Sequence, residues 1–148
     1  MRGCILIVDD SEPWRRFTRS TLQKLSHLLD ILEASDGRAA VRKAREAQPD
    51  LILLDIGLPN LSGMDAARQI RVVAPNSKIL FLTETHDPEV AAEALRIGSR
   101  GFVFKIDAEK ELLAAIGAVM AGRRFVSEKL RLLSDGYPFD FARWQAEG

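Results

Sequence analysis

The sequence predicts an α/β domain built on a five-stranded parallel sheet, doubly wound so that helices cover both faces. Short aliphatic runs alternate with longer amphipathic stretches along most of the chain, the order expected of repeated βα units. The short runs are almost continuously apolar, as strands are when helices pack on both sides of the sheet. A length of 148 residues, 47% of them hydrophobic, suits one core and leaves too little chain for two domains of ordinary size.

Strand one is read at Cys4–Val8, strand two at Ile31–Ala34, strand three at Leu51–Leu54, strand four at Lys78–Leu82 and strand five at Gly101–Phe104. Helix one has Ser11 as its cap and Pro13 in its first turn, with Trp14, Phe17, Leu22, Leu25, Leu28 and Leu29 near one face. Helix two runs from Ala39 to Gln48 and stops at Pro49; helix three carries Met64, Ala67, Ile70 and Val73 and ends before Pro75. Asp87-Pro88 opens helix four, which ends at Gly98. Asp107 is expected to cap helix five, where Leu112, Leu113, Ile116, Val119 and Met120 form the most regular stripe in the chain.

Five βα units are complete by Gly122, so residues 1–122 are assigned to this domain and 123–148 to a C-terminal extension. A short helix is expected between Ser127 and Leu133, stopped by Gly136. Beyond it, Tyr137, Phe139, Phe141 and Trp144 place four of the chain's ten aromatic residues within eight positions. In an extended segment Tyr137, Phe139 and Phe141 would share one face, suited to a groove on the domain or to a contact between molecules such as a homodimer.

Twenty-one basic side chains balance twenty-one acidic ones, so no overall field draws the chain to nucleic acid or to an anionic membrane. The arginines of helices one and two, from Arg15 to Arg45, read as solvated faces. Cys4 is the only cysteine, which excludes an internal disulfide and a cysteine-based metal site. His27 and His86 fit no metal-ligand spacing and read as surface residues. No apolar stretch is long enough to span a membrane, and a reducing cytoplasm suits the composition.

Ligands of an open parallel sheet bind outside the carboxyl ends of its strands. Strand one runs into Asp9-Asp10, strand three into Asp55, strand four into Thr83 and strand five into Lys105. Three carboxylates so placed repel one another unless a hard cation neutralises them, and Mg²⁺ with oxygen ligands does so while keeping water positions open. Such an ion, with a lysine beside it, would let a carboxylate oxygen attack phosphorus in line. Asp55 is then a candidate phosphoacceptor.

These residues resemble the receiver domain of two-component response regulators. The resemblance spans Ile5 to about Gly122 and rests on Val8-Asp9-Asp10, on the run from Leu53 through Asp55-Ile56-Gly57-Leu58-Pro59 to Met64, on Phe81-Leu82-Thr83, and on Gly101-Phe102-Val103-Phe104-Lys105. Residues Ala118 to Ser127 are similar to the end of the receiver in the NarL/FixJ branch. The resemblance implies a flavodoxin-like sheet with strand order 2-1-3-4-5 and a phosphoryl group taken by Asp55 from a sensor histidine kinase or phosphotransfer protein. It also implies Mg²⁺ held by Asp10, Asp55 and the Gly57 carbonyl, with Asp9 assisting through water, and Lys105 paired with the phosphoryl group. Thr83 and Phe102 are the implied switch pair: the threonine moves toward phosphate and the ring turns inward, altering the surface of helix four, strand five and helix five. The protein is expected to be a regulatory phosphoacceptor, acting only on its own phosphoryl group, and no classical enzyme.

Three positions depart from that pattern. Glu84 stands where a small residue usually follows the threonine, and its carboxylate would repel phosphate. Ile106 replaces a common proline. Residues 128–148 have neither the length nor the charge of a helix-turn-helix, so direct DNA binding is not expected, and the output partner is unspecified. The alternative is a receiver-like interaction module that is not phosphorylated. A D-x-D phosphohydrolase is disfavoured by Gly57 two residues after Asp55, and a flavin site by the acidic loop after strand one.

Overall fold

In the computed structural model, which describes residues 2–133 and 136–148, the βα alternation closes into one parallel sheet. The elements are β1 (Gly3–Val8), α1 (Glu12–Leu25), β2 (Leu29–Ala34), α2 (Gly37–Ala47), β3 (Leu51–Leu54), α3 (Gly63–Val73), β4 (Lys78–Thr83), α4 (Pro88–Arg96), β5 (Gly101–Phe104), α5 (Ala108–Met120), β6 (Phe125–Val126), α6 (Glu128–Arg131) and α7 (Phe141–Glu147). The strand order is 2-1-3-4-5-6. The expected order therefore holds for the first five strands, and the expected count of five is corrected to six. β6 is too short to show a period in sequence; it forms because the outer edge of β5 offers unpaired backbone groups. Phe125 N–H donates to Arg100 O at 3.1 Å and Ser127 N–H to Phe102 O at 3.0 Å.

Alternate strand residues feed two cores. Leu6, Val8, Ile52, Leu54, Phe81, Phe102 and Phe104 face α2, α3 and α4, whereas Ile5, Ile7, Leu51, Leu53, Leu80, Leu82 and Val103 face α1 and α5. Alanines dominate the sheet-facing sides of α2, α3 and α4, including Ala40, Ala44, Ala66, Ala67, Ala91 and Ala92, all fully buried. Small side chains there bring the helix axes close to the sheet.

Two helix boundaries differ from expectation. α1 ends at Leu25, so Leu28 and Leu29 are not on its face: Leu28 is exposed and Leu29 opens β2. Pairing of Gly3 with Leu29 across β1 and β2 captures those residues for the sheet. Asp107 does not cap α5 with its side chain; a 3-10 turn at Lys105–Asp107 leads in, and the Asp107 carboxylate pairs with Lys129 at 3.4 Å.

The aromatic tail folds back on the domain. Asp140 caps α7 by accepting from Arg143 N–H at 3.0 Å, so the segment turns into a helix at Phe141 and does not continue extended. Tyr137, Phe139 and Phe141 still converge, with Phe141 4.8 Å from Phe139 and 5.9 Å from Tyr137 between ring centroids. Phe141 is fully buried and joins the core on the α2, α3 and α4 side of the sheet. Tyr137 donates to Glu89 of α4 at 3.1 Å, and Arg96 of α4 lies over the Phe139 ring at 5.4 Å. Among the described residues no helix is long and apolar enough to cross a membrane.

Candidate functional site

The carboxyl ends of β1, β3, β4 and β5 meet at one rim. Backbone bonds carry the ladder one step past the strands: Asp9 N–H donates to Ala34 O at 3.1 Å and Asp55 N–H to Val8 O at 3.0 Å. Both aspartates are thus held as firmly as strand residues although each starts a loop. Asp9 and Asp55 are buried, Asp10 is exposed, and their carboxylate oxygens lie within 4.8 Å of one another. The loop after Asp55 turns back through Leu58 N–H and Gly63 N–H, which both donate to Ile56 O. Gly63 is required where α3 begins, because a Cβ there would collide with the Asp55 carbonyl oxygen and the Ile56 Cα.

Lys105 reaches across the rim. Its Nζ donates to Asp9 Oδ2 at 2.8 Å and to Asp55 Oδ2 at 3.2 Å, with the three side chains only 5%, 5% and 8% exposed. Each aspartate keeps one further bond: Ser11 N–H to Asp9 Oδ1 at 2.9 Å and Ile56 N–H to Asp55 Oδ1 at 2.8 Å. Burial pushes the Asp9 carboxyl up, and the opposing pull of Lys105 and the Ser11 N–H does not offset it. Burial alone would pull Lys105 down, but its hydrogen bond to Asp9 and the charges of Asp55 and Asp9 prevail, so the ammonium is held above its ordinary value. At neutral pH the lysine is a fixed cation.

Asp10, Asp55, Gly57, Thr83, Glu84 and Lys105 line a single cleft of about 510 Å³, with Asp9 beneath it. Phe102 is not in the cleft. It is fully buried on the α4 side of the sheet, packed against Phe81 at 6.2 Å and edge-on to Phe104 at 5.5 Å. Sequence reasoning missed Trp14, which it assigned to a helical core face. The ring lines the cleft and lies 4.9 Å from Lys105 Nζ. Its position one turn after the Asp10-Ser11 cap was the available signal, since that turn faces the rim. His86 is exposed, as expected, and lies against Phe104 at 5.7 Å.

Three clustered carboxylates are hard oxygen donors with an exposed approach through Asp10, a donor set that fits a divalent cation such as Mg²⁺. A doubly wound parallel sheet of flavodoxin type, with acids and a lysine at the carboxyl rim, defines a class of small α/β signalling domains. The family described as response regulator receiver domain matches residues 5–117, and the chain belongs to it: this is the receiver domain of a two-component response regulator.

Among curated relatives, the response regulator UvrY of Escherichia coli K12 is 30% identical over 85% of this chain and 58% of its own length. The response regulator GacA of Pseudomonas viridiflava is 29% identical over 85% of this chain and 59% of its own. The chain thus spans a little over half the length of these relatives. A LuxR-family two-component response regulator from Aurantimonas sp. SI85-9A1 superposes with a TM-score of 0.81 at 32% identity, covering 89% of this chain and 94% of that one. The isolated receiver domain of RcsB from Salmonella enterica serovar Typhimurium, solved with the phosphomimetic BeF3-, shares the fold at a TM-score of 0.82 and 21% identity. It covers 90% of this chain and 99% of its own.

Proposed function

We propose that Asp55 accepts a phosphoryl group from a phosphohistidine on a sensor histidine kinase or phosphotransfer protein. The observation that carries this reading is the placement of the Asp55 carboxylate between an acidic cluster and the Lys105 ammonium at the floor of an open cleft. A carboxylate oxygen of Asp55 attacks phosphorus in line, the P–O bond forms, the P–N bond to the donor imidazole breaks, and the ring nitrogen leaves with the electron pair. Lys105 then turns from bridging two carboxylates to pairing with the phosphoryl oxygens, and the Thr83 hydroxyl moves to hydrogen-bond one of them. Asp10, Asp55 and the Gly57 carbonyl would hold Mg²⁺, with Asp9 acting through water; when bound, the ion neutralises the acids and the developing phosphoryl charge.

Residues 1–122 supply this chemistry, and 123–148 form an extension that meets the α4 and β5 side, where Phe102 lies. Output by contact with another protein, a second copy of the chain included, suits the neutral net charge better than direct DNA binding. A second reading, an interaction module that takes no phosphate, is favoured by Glu84, whose carboxylate lines the cleft. Intact mass after incubation with a small acyl-phosphate donor tests the proposal. One added phosphoryl group is expected, dependent on Mg²⁺ and absent in Asp55→Asn. Labelling that survives that substitution or excess chelator refutes the assignment, and an unlabelled parent protein selects the second reading.

A further inference from the structure

The residues just before Lys105 are clamped on one edge by β4 and on the other by the short β6 segment and the residue that follows it. Phe104 pairs with Thr83 across β4. On its open side the Phe104 N–H donates to the Ser127 hydroxyl at 3.0 Å. That hydroxyl is fully buried and in turn donates to Glu111 Oε1 of α5 at 2.6 Å, while Glu111 Oε2 accepts the Glu128 N–H at 2.9 Å. The Ser127 N–H closes the set on Phe102 O at 3.0 Å. One hydroxyl therefore ties β5, β6 and α5 together at the residue preceding the ammonium that bridges Asp9 and Asp55.

The tail holds this clamp from outside. Gln145 Oε1 of α7 accepts the Val126 N–H at 2.8 Å, and Arg124 donates to Trp144 O at 2.9 Å while its guanidinium lies 4.8 Å from the Trp144 ring. We propose that Ser127 is a positioning residue for Lys105, and that through it the docked C-terminal segment sets the geometry of the Asp55 site. The inference deepens the phosphoacceptor reading and rests on it for its functional consequence, but the positioning itself is separately measurable. If Ser127 loses its hydroxyl, the Phe104 N–H is left buried without its acceptor, the end of β5 loosens, and Lys105 leaves its place over the Trp14 ring. Free-energy linkage makes the coupling reciprocal: a ligand on Asp55 that fixes Lys105 also steadies α7.

The full chain supplies its own reporter. Lys105 Nζ lies over the Trp14 ring, 4.9 Å from its centroid, so the Lys105 side-chain methylene signals are expected to be displaced upfield by the indole in a lysine-labelled NMR sample. In Ser127→Ala the expected result is loss of that displacement with Lys24, Lys43 and Lys78 unmoved. Labelling of Asp55 by acyl phosphate should fall between about 5-fold and 100-fold, the upper figure being the cost of a misplacement near 1 Å. Glu111→Ala, which keeps the buried hydroxyl and removes the carboxylate that accepts from it and from the Glu128 N–H, should move both readouts in the same direction by less, and guards against a Ser127 variant that does not fold. A Lys105 signal unchanged in both variants overturns the proposal. So does an unchanged labelling rate in a parent that labels. If the parent takes no phosphoryl group, the phosphoacceptor reading fails by itself and the Lys105 signal still decides the positioning.

Discussion

Lys105→Ala removes the only cation within ion-pair reach of two buried carboxylates among the described residues. With the ammonium gone, Asp9 and Asp55 face one another at 5% and 8% exposure, each keeping a single backbone N–H donor. Breaking a buried ion pair by deleting one partner costs about 3–5 kcal/mol, because the surviving charge is left uncompensated. Two survivors here argue for the upper part of that range. The loss is pH-dependent in a definite sense. Asp9 already binds its proton more tightly folded than unfolded because burial outweighs its partners, and removal of Lys105 raises it further. A folded state that holds the extra proton gains stability below the unfolded carboxylate range and loses it as pH rises through the folded value. The variant should therefore lose more stability than its parent as pH rises through the raised Asp9 carboxyl. Urea unfolding followed by far-UV circular dichroism, with and without Mg²⁺, measures this. Mg²⁺ should restore more stability to Lys105→Ala than it adds to the parent, since it replaces the missing charge. A loss below about 1 kcal/mol, or equal increments from Mg²⁺ in both proteins, would refute the reasoning.

Glu84→Ala should speed acyl-phosphate labelling a few-fold, since surface charges at contact interact by only about 1 kcal/mol in water; a stopped time course read by mass decides it, and an unchanged rate places the carboxylate out of phosphate's path. Phe141→Ala should destabilise the chain by about 3–5 kcal/mol, because the ring is fully buried in the core, and a denaturation midpoint equal to that of the parent would show the tail undocked in solution. Glu33 is held below the usual glutamate range: burial opposes this, but Arg19 and Arg15, the latter at 3.0 Å, outweigh it. That stabilisation is complete above the ordinary glutamate value of about 4.3 and is lost as pH falls through the lower folded value, so Glu33→Gln should flatten the acid limb of a stability profile, and an identical acid limb would count against it.

The meeting of the rim residues was legible in the sequence because parallel strands impose it. Once apolar runs ending in Asp9-Asp10, Asp55, Thr83 and Lys105 are recognised as neighbouring strands, their terminal residues can only meet at the carboxyl edge, whatever the helices do. The alternation of two periods also sufficed for five βα units, since the strands are four to six residues long and, β2 apart, mostly buried and apolar, and each helix carries its own cap or stop. What depended on partners far away in sequence was not legible. β6 is two residues long and has no period to detect; it exists because β5 has an open edge. Leu29 reads equally well as the end of a helix stripe, and pairing with Gly3 decides for the strand. Trp14 carries the pattern of a core residue, yet the ammonium that lies over it arrives from 91 positions along the chain. The tail shows the same division. Its aromatic content announced that it must dock, while the choice of α4, the turn at Phe141 and the Ser127 bridge to the end of β5 came from the tertiary structure alone. Hydrophobic period and capping are local properties of the chain, whereas edge pairing and side-chain bridges form only when distant segments are brought within a few ångströms.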